Sequence, residues 1–453
     1  MNTGAQPRMI GGEMQVWSDL DGRRGAGPVR GTVLAAVFAA ARGRILVLGP
    51  HDPALFDSLD DTTVLVRGVA DARTLAGRTG LTVLCGSPAQ LAAQGTFDTV
   101  IALDGLGRLD TTESDGLTWN EMLAVVHSVL APDGLLVLGA ENPLGLHRVV
   151  APPRRLSDAD WVPVPGDSQP ATLTQLRQAA GDVTRIYCTY PDPVAPELIL
   201  REDAQGGAVE AALERAFSGA RKVLVDPARL AISSVRHGAG SALAPGWIIV
   251  AARDENLLPH VVSELDGAVP GPTLEHLIEL AAARRDLPGV RELVTDWQSG
   301  PAAGVPANQI IKASDGTSVA LGDVVDPAFA LRDLASRLLR AGFPHPWPGV
   351  KGTTDLTRIL AAMGEVHVEV QDEPGQRELP FAELVAERDR LIGELADARA
   401  QAAFFEAELT GRERDLREVR EMVEQLSGTG PARAGQAFVG GVRATRRVLR
   451  RNG

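Results

Sequence analysis

Only two cysteines, Cys85 and Cys188, occur in 453 residues. Neither has a Cys or His neighbour at zinc-ligand spacing, and two thiols cannot staple a chain this long. A disulfide framework and a structural zinc site are therefore excluded, no metal is expected, and a reduced, cytoplasmic setting is. Long hydrophobic runs are also missing. No apolar stretch reaches about 18 residues, and the N-terminus lacks the charged segment, apolar core and cleavage site of a secretory signal, so neither a membrane span nor export is expected. Surplus positive charge is missing too: 45 Lys and Arg stand against 58 Asp and Glu, a net charge of −13. That balance argues against nucleic acid as a partner, because a phosphate backbone is held by excess cations. Aromatic residues make up only 4 %, yet 44 % hydrophobic and 23 % charged residues are ordinary for a globular protein. The length fits two or three domains at about 150 residues each.

Organisation appears in the hydrophobic patterning. Residues 1–28 are rich in Gly and polar residues and read as a flexible lead-in. Helical spacing over 29–41 then precedes RILVLG (44–49), a buried strand ending in glycine. TTVLVRG (62–68), LTVLCGS (81–87), FDTVIALDGL (97–106) and GLLVLGAEN (134–142) are four more short Val/Ile/Leu runs, each stopped by Gly, Asp or Asn. Helical segments fall between them, notably 118–132. Alternating strands and helices predict an α/β fold with a mostly parallel sheet and right-handed crossovers, whose ligands sit beyond the carboxyl ends of the strands. A Pro-rich crossing at 149–170 precedes a helix at 171–182 and a strand at 183–193. It reads as a plain surface connection or a substrate loop.

Residues 204–375 hold enough apolar density for a second, accessory α/β region with helices at 208–218, 273–285 and 328–341 and a strand at 246–253. From 383 to 427 the spacing changes to alternating steps of four and three: Leu391, Leu395, Ala398, Ala402, Phe405, Leu409, Leu416, Val419, Val423 and Leu426, with Arg412 in the one polar seam position among them. About five heptads flanked by Glu and Arg predict a coiled coil, for self-association or for holding another protein. Residues 428–453 form a basic tail carrying Arg443, Arg446, Arg447, Arg450 and Arg451, which reads either as a solvated end or as weak contact with an anionic membrane surface.

The block FDTVIALDGLGRLD followed by EMLAVVHSVLAPDGLLVLGAEN resembles the class I S-adenosylmethionine-dependent methyltransferases, in which a strand ending in a polar residue leads through a helix and a Pro-Asp-Gly turn to the next strand. The resemblance covers residues 29–203 and implies a Rossmann-like domain. ENPLGLHRVV and YPDPVAPELILRED are similar to segments of methyltransferase-like proteins from bacterial surface-polysaccharide and glycosyltransferase loci. This implies a sugar or glycan-linked acceptor and S-adenosylmethionine as cofactor, with a glycosyltransferase as a candidate partner for the coiled coil.

On that resemblance Leu48, Gly49, Pro50, Asp52, Arg67, Ser87 and Asp104 hold the cofactor positions, and Asp104, Glu141, Asn142 and His147 the catalytic ones. Three positions depart from the family pattern. Where an acidic-x-Gly-x-Gly loop is usual, only Gly49 remains, and Pro50 removes a backbone donor. The second strand ends in Arg67, which has donors only, where a carboxylate would accept from the ribose hydroxyls. Ser87 stands where an Asp would meet the adenine amino group. Losing two or three hydrogen bonds of roughly 1 kcal/mol each weakens binding about a hundredfold, unless neighbours such as His51 or Asp71 compensate. Two readings stay open: a glycan methyltransferase, or an inactive methyltransferase-fold scaffold that recruits glycosyltransferases. A last segment, PANQIIKASDGTSVALGD (306–323), resembles the Asn-strand-turn-strand-Asp stretch of aminoglycoside-phosphotransferase-like proteins, but a β-hairpin with an Asp-Gly turn accounts for the same residues.

Overall fold

Alternation within the strands sets the architecture. In the strand Ile45–Leu48, Ile45 and Val47 face one core while Leu46 and Leu48 face another. The same split recurs at Val64 against Leu65, Val83 against Leu84, Ile101 against Val100, and Val137 against Leu136. Strands apolar on both faces must be covered on both, as in a doubly wound α/β sheet. The computed structural model describes residues 6–22, 26–57, 59–78, 80–111, 113, 116–150, 169–181, 183–219, 226–261, 265–341, 347, 350, 352–367 and 381–428. Residues 151–168 of the Pro-rich crossing at 149–170, and residues 429–453 of the basic tail at 428–453, lie outside the described residues.

Nine strands form the main sheet: β1 (Arg8–Gly11), β2 (Ile45–Leu48), β3 (Thr62–Val66), β4 (Leu81–Gly86), β5 (Phe97–Ala102), β6 (Leu130–Glu141), β7 (Val183–Tyr190), β8 (Leu198–Arg201) and β9 (Gly246–Ala252). Their order is β1-β4-β3-β2-β5-β6-β9-β7-β8. The pairs from β1 to β6 are parallel, β9 runs antiparallel between β6 and β7, and β8 pairs antiparallel with β7 at the edge. This large, mostly parallel sheet is consistent with a Rossmann-like methyltransferase fold. Strand order reverses at β2, between β3 and β5, so the crevice beyond Gly49 is the topological switch point where such sheets hold ligands.

The helix Trp119–Val129 crosses from β5 to β6. Thr118 and Glu121 close a capping box at its start, and Trp119, Met122, Leu123, Val126 and Val129 bury one stripe against the sheet. The helix expected over 29–41 is instead a 3-10 turn at Thr32–Leu34 followed by one turn at Ala35–Phe38. It stops where the Arg42 amide leaves for the Thr99 hydroxyl, 3.0 Å away.

Two expected boundaries are corrected. Residues 6–22 are not a loose lead-in: β1 adds to the sheet in register with β4, and Met14 bridges to Gly68. The sheet also does not end at residue 203. β9 lies between β6 and β7, and the helices Gly207–Ala216 and Pro227–Arg236 pack Leu213, Phe217, Ala231 and Val235 into the same core as Leu138 and Ile249. A separate core does form further on, from helices Leu274–Ala283, Leu287–Ser299, Pro327–Arg340 and Thr353–Met363, around Ile278, Val294, Trp297, Leu334 and Leu360. The hairpin expectation holds: β10 (Ile310–Lys312) and β11 (Ser318–Ala320) pair antiparallel around Asp315-Gly316. Among the described residues no group of His, Cys, Asp and Glu could hold a metal.

A band of ion pairs joins the sheet-packed helices to this third core. Arg236 reaches Glu210 at 2.6 Å and Glu279 at 3.2 Å, while Arg337 reaches Glu214 at 2.9 Å, Asp333 at 2.7 Å and Glu275 at 3.9 Å. Glu275 is pushed up to about 8 by burial, which outweighs the pull of Arg337 and is reinforced by Glu279, Glu214 and Asp333.

The chain divides into two units, Met1–Asp372 and Glu373–Gly453. The second is described as one continuous helix, Phe381–Gly428, where the coiled coil is expected. Along it Leu391, Leu395, Phe405, Leu409, Leu416, Val419 and Val423 are exposed. The pairing that a coiled coil needs remains an expectation. Among the described residues no helix is long and apolar enough to cross a membrane.

Candidate functional site

The switch-point crevice gathers nearly every sequence-predicted residue at the carboxyl ends of β2 to β6, and then commits most of them to other partners. Leu48 and Pro50 are buried. Gly49, at φ +87°, sits beside Asp104, whose Cβ lies 3.8 Å from where a Gly49 side chain would begin. His51 turns inward. Its Nε2 accepts from the Leu103 amide at 3.2 Å, so its Nδ1 carries the proton and donates to the Gly49 carbonyl at 3.2 Å. Burial and nearby Arg108 bring its pKa down to about 4, the Gly49 hydrogen bond opposing them, and the imidazole stays neutral. His51 is thus a strut between the first loop and the end of β5. Asp52 caps the short 3-10 turn Pro53–Leu55 by accepting from the Ala54 amide at 3.0 Å.

Arg67 is the most altered position. Its guanidinium forms a two-pronged pair with Asp19, Nε and Nη2 each 2.8 Å from a carboxylate oxygen, and Nη1 donates to the Asp110 carbonyl at 2.9 Å. The two side chains are 1 % and 4 % exposed. Trp17 stacks under the guanidinium at 5.2 Å. Asp71 completes the anchorage: its carboxylate accepts from the Ser18 hydroxyl and from the Asp19 amide at 2.8 Å. Burial raises its pKa. Residues 14–21 therefore lie across the end of β3, where the resemblance puts the cofactor ribose.

Glycines make this approach possible. A side chain on Gly68 would begin 2.4 Å from the Trp17 carbonyl, and one on Gly86 would begin 2.4 Å from the Gly11 carbonyl. Only a residue without Cβ admits backbone so close. Gly11 and Gly12 in turn cover Ser87, which is 3 % exposed, donates its amide to the Gly11 carbonyl at 2.8 Å and caps the 3-10 turn Pro88–Gln94. The adenine position of the resemblance is covered by the same N-terminal segment.

The catalytic candidates are also engaged. Asp104 is gripped by Arg108 through two hydrogen bonds, one of 2.6 Å from Nε. Burial pushes its carboxyl up to about 6 against the opposing pull of that guanidinium. At Glu141 burial works upward, but hydrogen bonds from His147 (2.8 Å) and Arg148 (2.7 Å) prevail and bring it down to about 2. A carboxylate held that low is a weak base at neutral pH. His147 spends Nε2 on Glu141, and its Nδ1 is buried without a hydrogen-bond partner among the described residues. Asn142 is 1 % exposed. It donates to the Ala242 and Ala244 carbonyls at 2.8 Å each and accepts from the Leu144 amide at 3.0 Å. Its amide ties β6 to the turn before β9. Cys85 is a core thiol, buried and pushed up to about 12.

Asp19, Trp17 and Arg108 were not singled out from the sequence. The one signal was the tripeptide Trp17-Ser18-Asp19 inside an otherwise Gly-rich segment. As it stands the crevice does not fit S-adenosylmethionine: Arg67 offers no acceptor, both Asp19 oxygens are taken, and backbone from residues 11–21 covers the two positions that would read ribose and adenine.

No protein-family model matches this chain, and no curated protein matches it. Among solved structures, the chain is similar to S-adenosylmethionine-dependent methyltransferases. One, from Thermotoga maritima, is described as a possible histamine N-methyltransferase, with 13 % identity, 49 % of this chain and 92 % of that one covered, and a TM-score of 0.27. Another, from Archaeoglobus fulgidus, has 13 % identity, coverage of 49 % and 91 %, and a TM-score of 0.29. A glycopeptide N-methyltransferase complexed with sinefungin has 15 % identity, coverage of 53 % and 93 %, and a TM-score of 0.24. Identities and scores of this size do not place the chain in a family.

Proposed function

We propose that this chain carries a methyltransferase-type fold whose cofactor crevice is closed by its own N-terminal segment, and that the domain serves as a non-catalytic scaffold. The observation that carries this reading is the buried Arg67–Asp19 pair, which holds residues 14–21 over the end of β3. Two facts add to it. Ser87 lies under Gly11 and Gly12, and Asn142 is consumed by backbone carbonyls. Opening the crevice would strand a buried guanidinium, and breaking such a pair costs about 3–5 kcal/mol when one partner is left behind.

A second reading, methyl transfer from S-adenosylmethionine to a sugar or glycan-linked acceptor, is favoured by Asp104. It stands beside Gly49 at the switch point, and its carboxyl, raised to about 6, suits proton transfer near neutrality. This reading requires residues 11–21 to withdraw and Arg108 to release Asp104.

Calorimetric titration of the full chain with S-adenosylmethionine and S-adenosylhomocysteine separates the two. The full chain is needed because β9 completes the sheet. No heat up to millimolar ligand, from protein shown to be folded, is the expected result. Micromolar binding would overturn the scaffold reading. Binding that appears only in Asp19→Ala would identify the N-terminal segment as a lid over a competent site.

A further inference from the structure

We propose that the helix Phe381–Gly428 pairs with the same helix of a second copy, parallel and in register, and that Arg412 with its flanking glutamates fixes that register. The inference does not depend on whether the crevice takes a cofactor.

The helix is 48 residues long, about 72 Å at 1.5 Å per residue. Its apolar side chains are too exposed for a helix that stands alone: Leu391 51 %, Leu409 61 %, Leu416 58 % and Val423 58 %. The spacing assigns Leu395, Ala402, Leu409, Leu416 and Val423 to the a positions and Leu391, Ala398, Phe405, Arg412 and Val419 to the d positions. Two or more such helices close by burying this seam.

Charge decides the orientation. The charged e positions are Arg399, Glu406, Glu413 and Arg420, and the g positions include Glu408 and Asp415. In a centred antiparallel pair, e meets e and g meets g. Arg399 would then face Arg420, Glu406 would face Glu413, and Glu408 would face Asp415, three contacts between like charges, while Gln401 would face Met422. In a parallel, in-register pair, g meets the e position five residues on in the other strand. Asp415 then meets Arg420, an attractive pair made twice. Glu408 meets Glu413, a repulsive pair, but Arg412 occupies the d layer between them. Within one strand Arg412 already reaches Glu408 at 2.7 Å. Two arginines among four glutamates neutralise that layer as far as charge allows. A one-heptad slip would set Arg412 against Phe405 or Val419 and lose the arrangement. A single polar seam position commonly specifies register and strand number in this way.

Multi-angle light scattering of the full chain is expected to give the mass of a dimer, and a monomer at tens of micromolar would overturn the proposal. Orientation is read by oxidation of Val423→Cys, a seam position near the C-terminal end. The native Cys85 and Cys188 are buried and do not compete. Parallel, in-register strands cross-link the single variant. In the centred antiparallel pair residue 423 faces 398, so only the double variant Ala398→Cys/Val423→Cys would cross-link across strands, and that outcome refutes the parallel arrangement. Arg412→Glu is expected to weaken dimerisation about tenfold or more with helix content retained in the folded dimer. An unchanged dissociation constant would refute the role given to Arg412. A higher-order species in light scattering would refute the two-strand assignment.

Discussion

Removing Asp19 tests whether the N-terminal segment is truly bound into the fold. In Asp19→Ala the Arg67 guanidinium loses both oxygens of the Asp19 carboxylate, at 2.8 Å each, and keeps the Asp110 carbonyl at 2.9 Å. With the pair only 1 % and 4 % exposed, water cannot replace the lost acceptors without moving residues 14–21 away. Stranding one partner of a buried pair costs about 3–5 kcal/mol, whereas an exposed pair is worth under about 1. A loss near 3 kcal/mol is therefore expected, read by urea denaturation of the unit that contains the sheet. The double variant Asp19→Ala/Arg67→Met removes the stranded charge, so it should cost less than the sum of the two single changes, with a coupling of about 2 kcal/mol. Hydrogen exchange localises the effect: the amides of Met14, Asp19 and Leu20, bonded to Arg67 and Asp71, should lose protection in Asp19→Ala before the strand amides do. A cost below about 1 kcal/mol with protection unchanged would refute the claim that this ion pair holds the crevice shut.

Two titrations should appear in stability against pH. His51 has its pKa brought down to about 4 from an ordinary 6.5, so the native state resists its protonation. Its contribution is complete above about 6.5 and falls as pH drops, by about 3 kcal/mol at pH 4. His51→Gln, which can still accept from Leu103 and donate to Gly49, should flatten that part of the urea-midpoint profile. An equal slope in wild type and variant would count against the strut assignment. Glu275 behaves oppositely. Its carboxyl, pushed up to about 8, favours the folded state while protonated, so its contribution is complete below about 4.5 and is lost as pH rises towards 8. Glu275→Gln should gain about 3 kcal/mol on wild type between pH 5 and pH 8, and parallel profiles would place the acidic pressure elsewhere in the Arg337 network.

The strands were legible because each repeats Val, Ile and Leu on both faces and ends in a turn residue. Ile45 with Val47 and Leu46 with Leu48 need two covering layers whatever the rest of the chain does. The positions of the candidate site were legible for the same reason, since a doubly wound sheet delivers Gly49, Arg67, Ser87, Asp104 and Glu141 to one edge. Their roles were not. Asn142 looks like a strand-end polar group free for chemistry until Ala242 and Ala244, a hundred residues on, present their carbonyls. The strand Gly246–Ala252 was recognised as a strand, but its place inside the first sheet follows from pairing with β6 and β7, which no local pattern encodes.

By itself, then, the sequence determined the elements, the parallel sheet, the crevice at its switch point and the long seamed helix, all properties of local periodicity. It also showed that Arg67 stands where a carboxylate is usual. Only the tertiary structure decided what that arginine does. Its partner Asp19 lies 48 residues upstream in a segment whose composition suggests no order. Order arises there because Gly68 and Gly86 let backbone approach, and because Arg67 and Asp71, once buried, each require a partner. Burial and long-range pairing are properties of the assembled chain, and they lay the N-terminal segment across the end of β3.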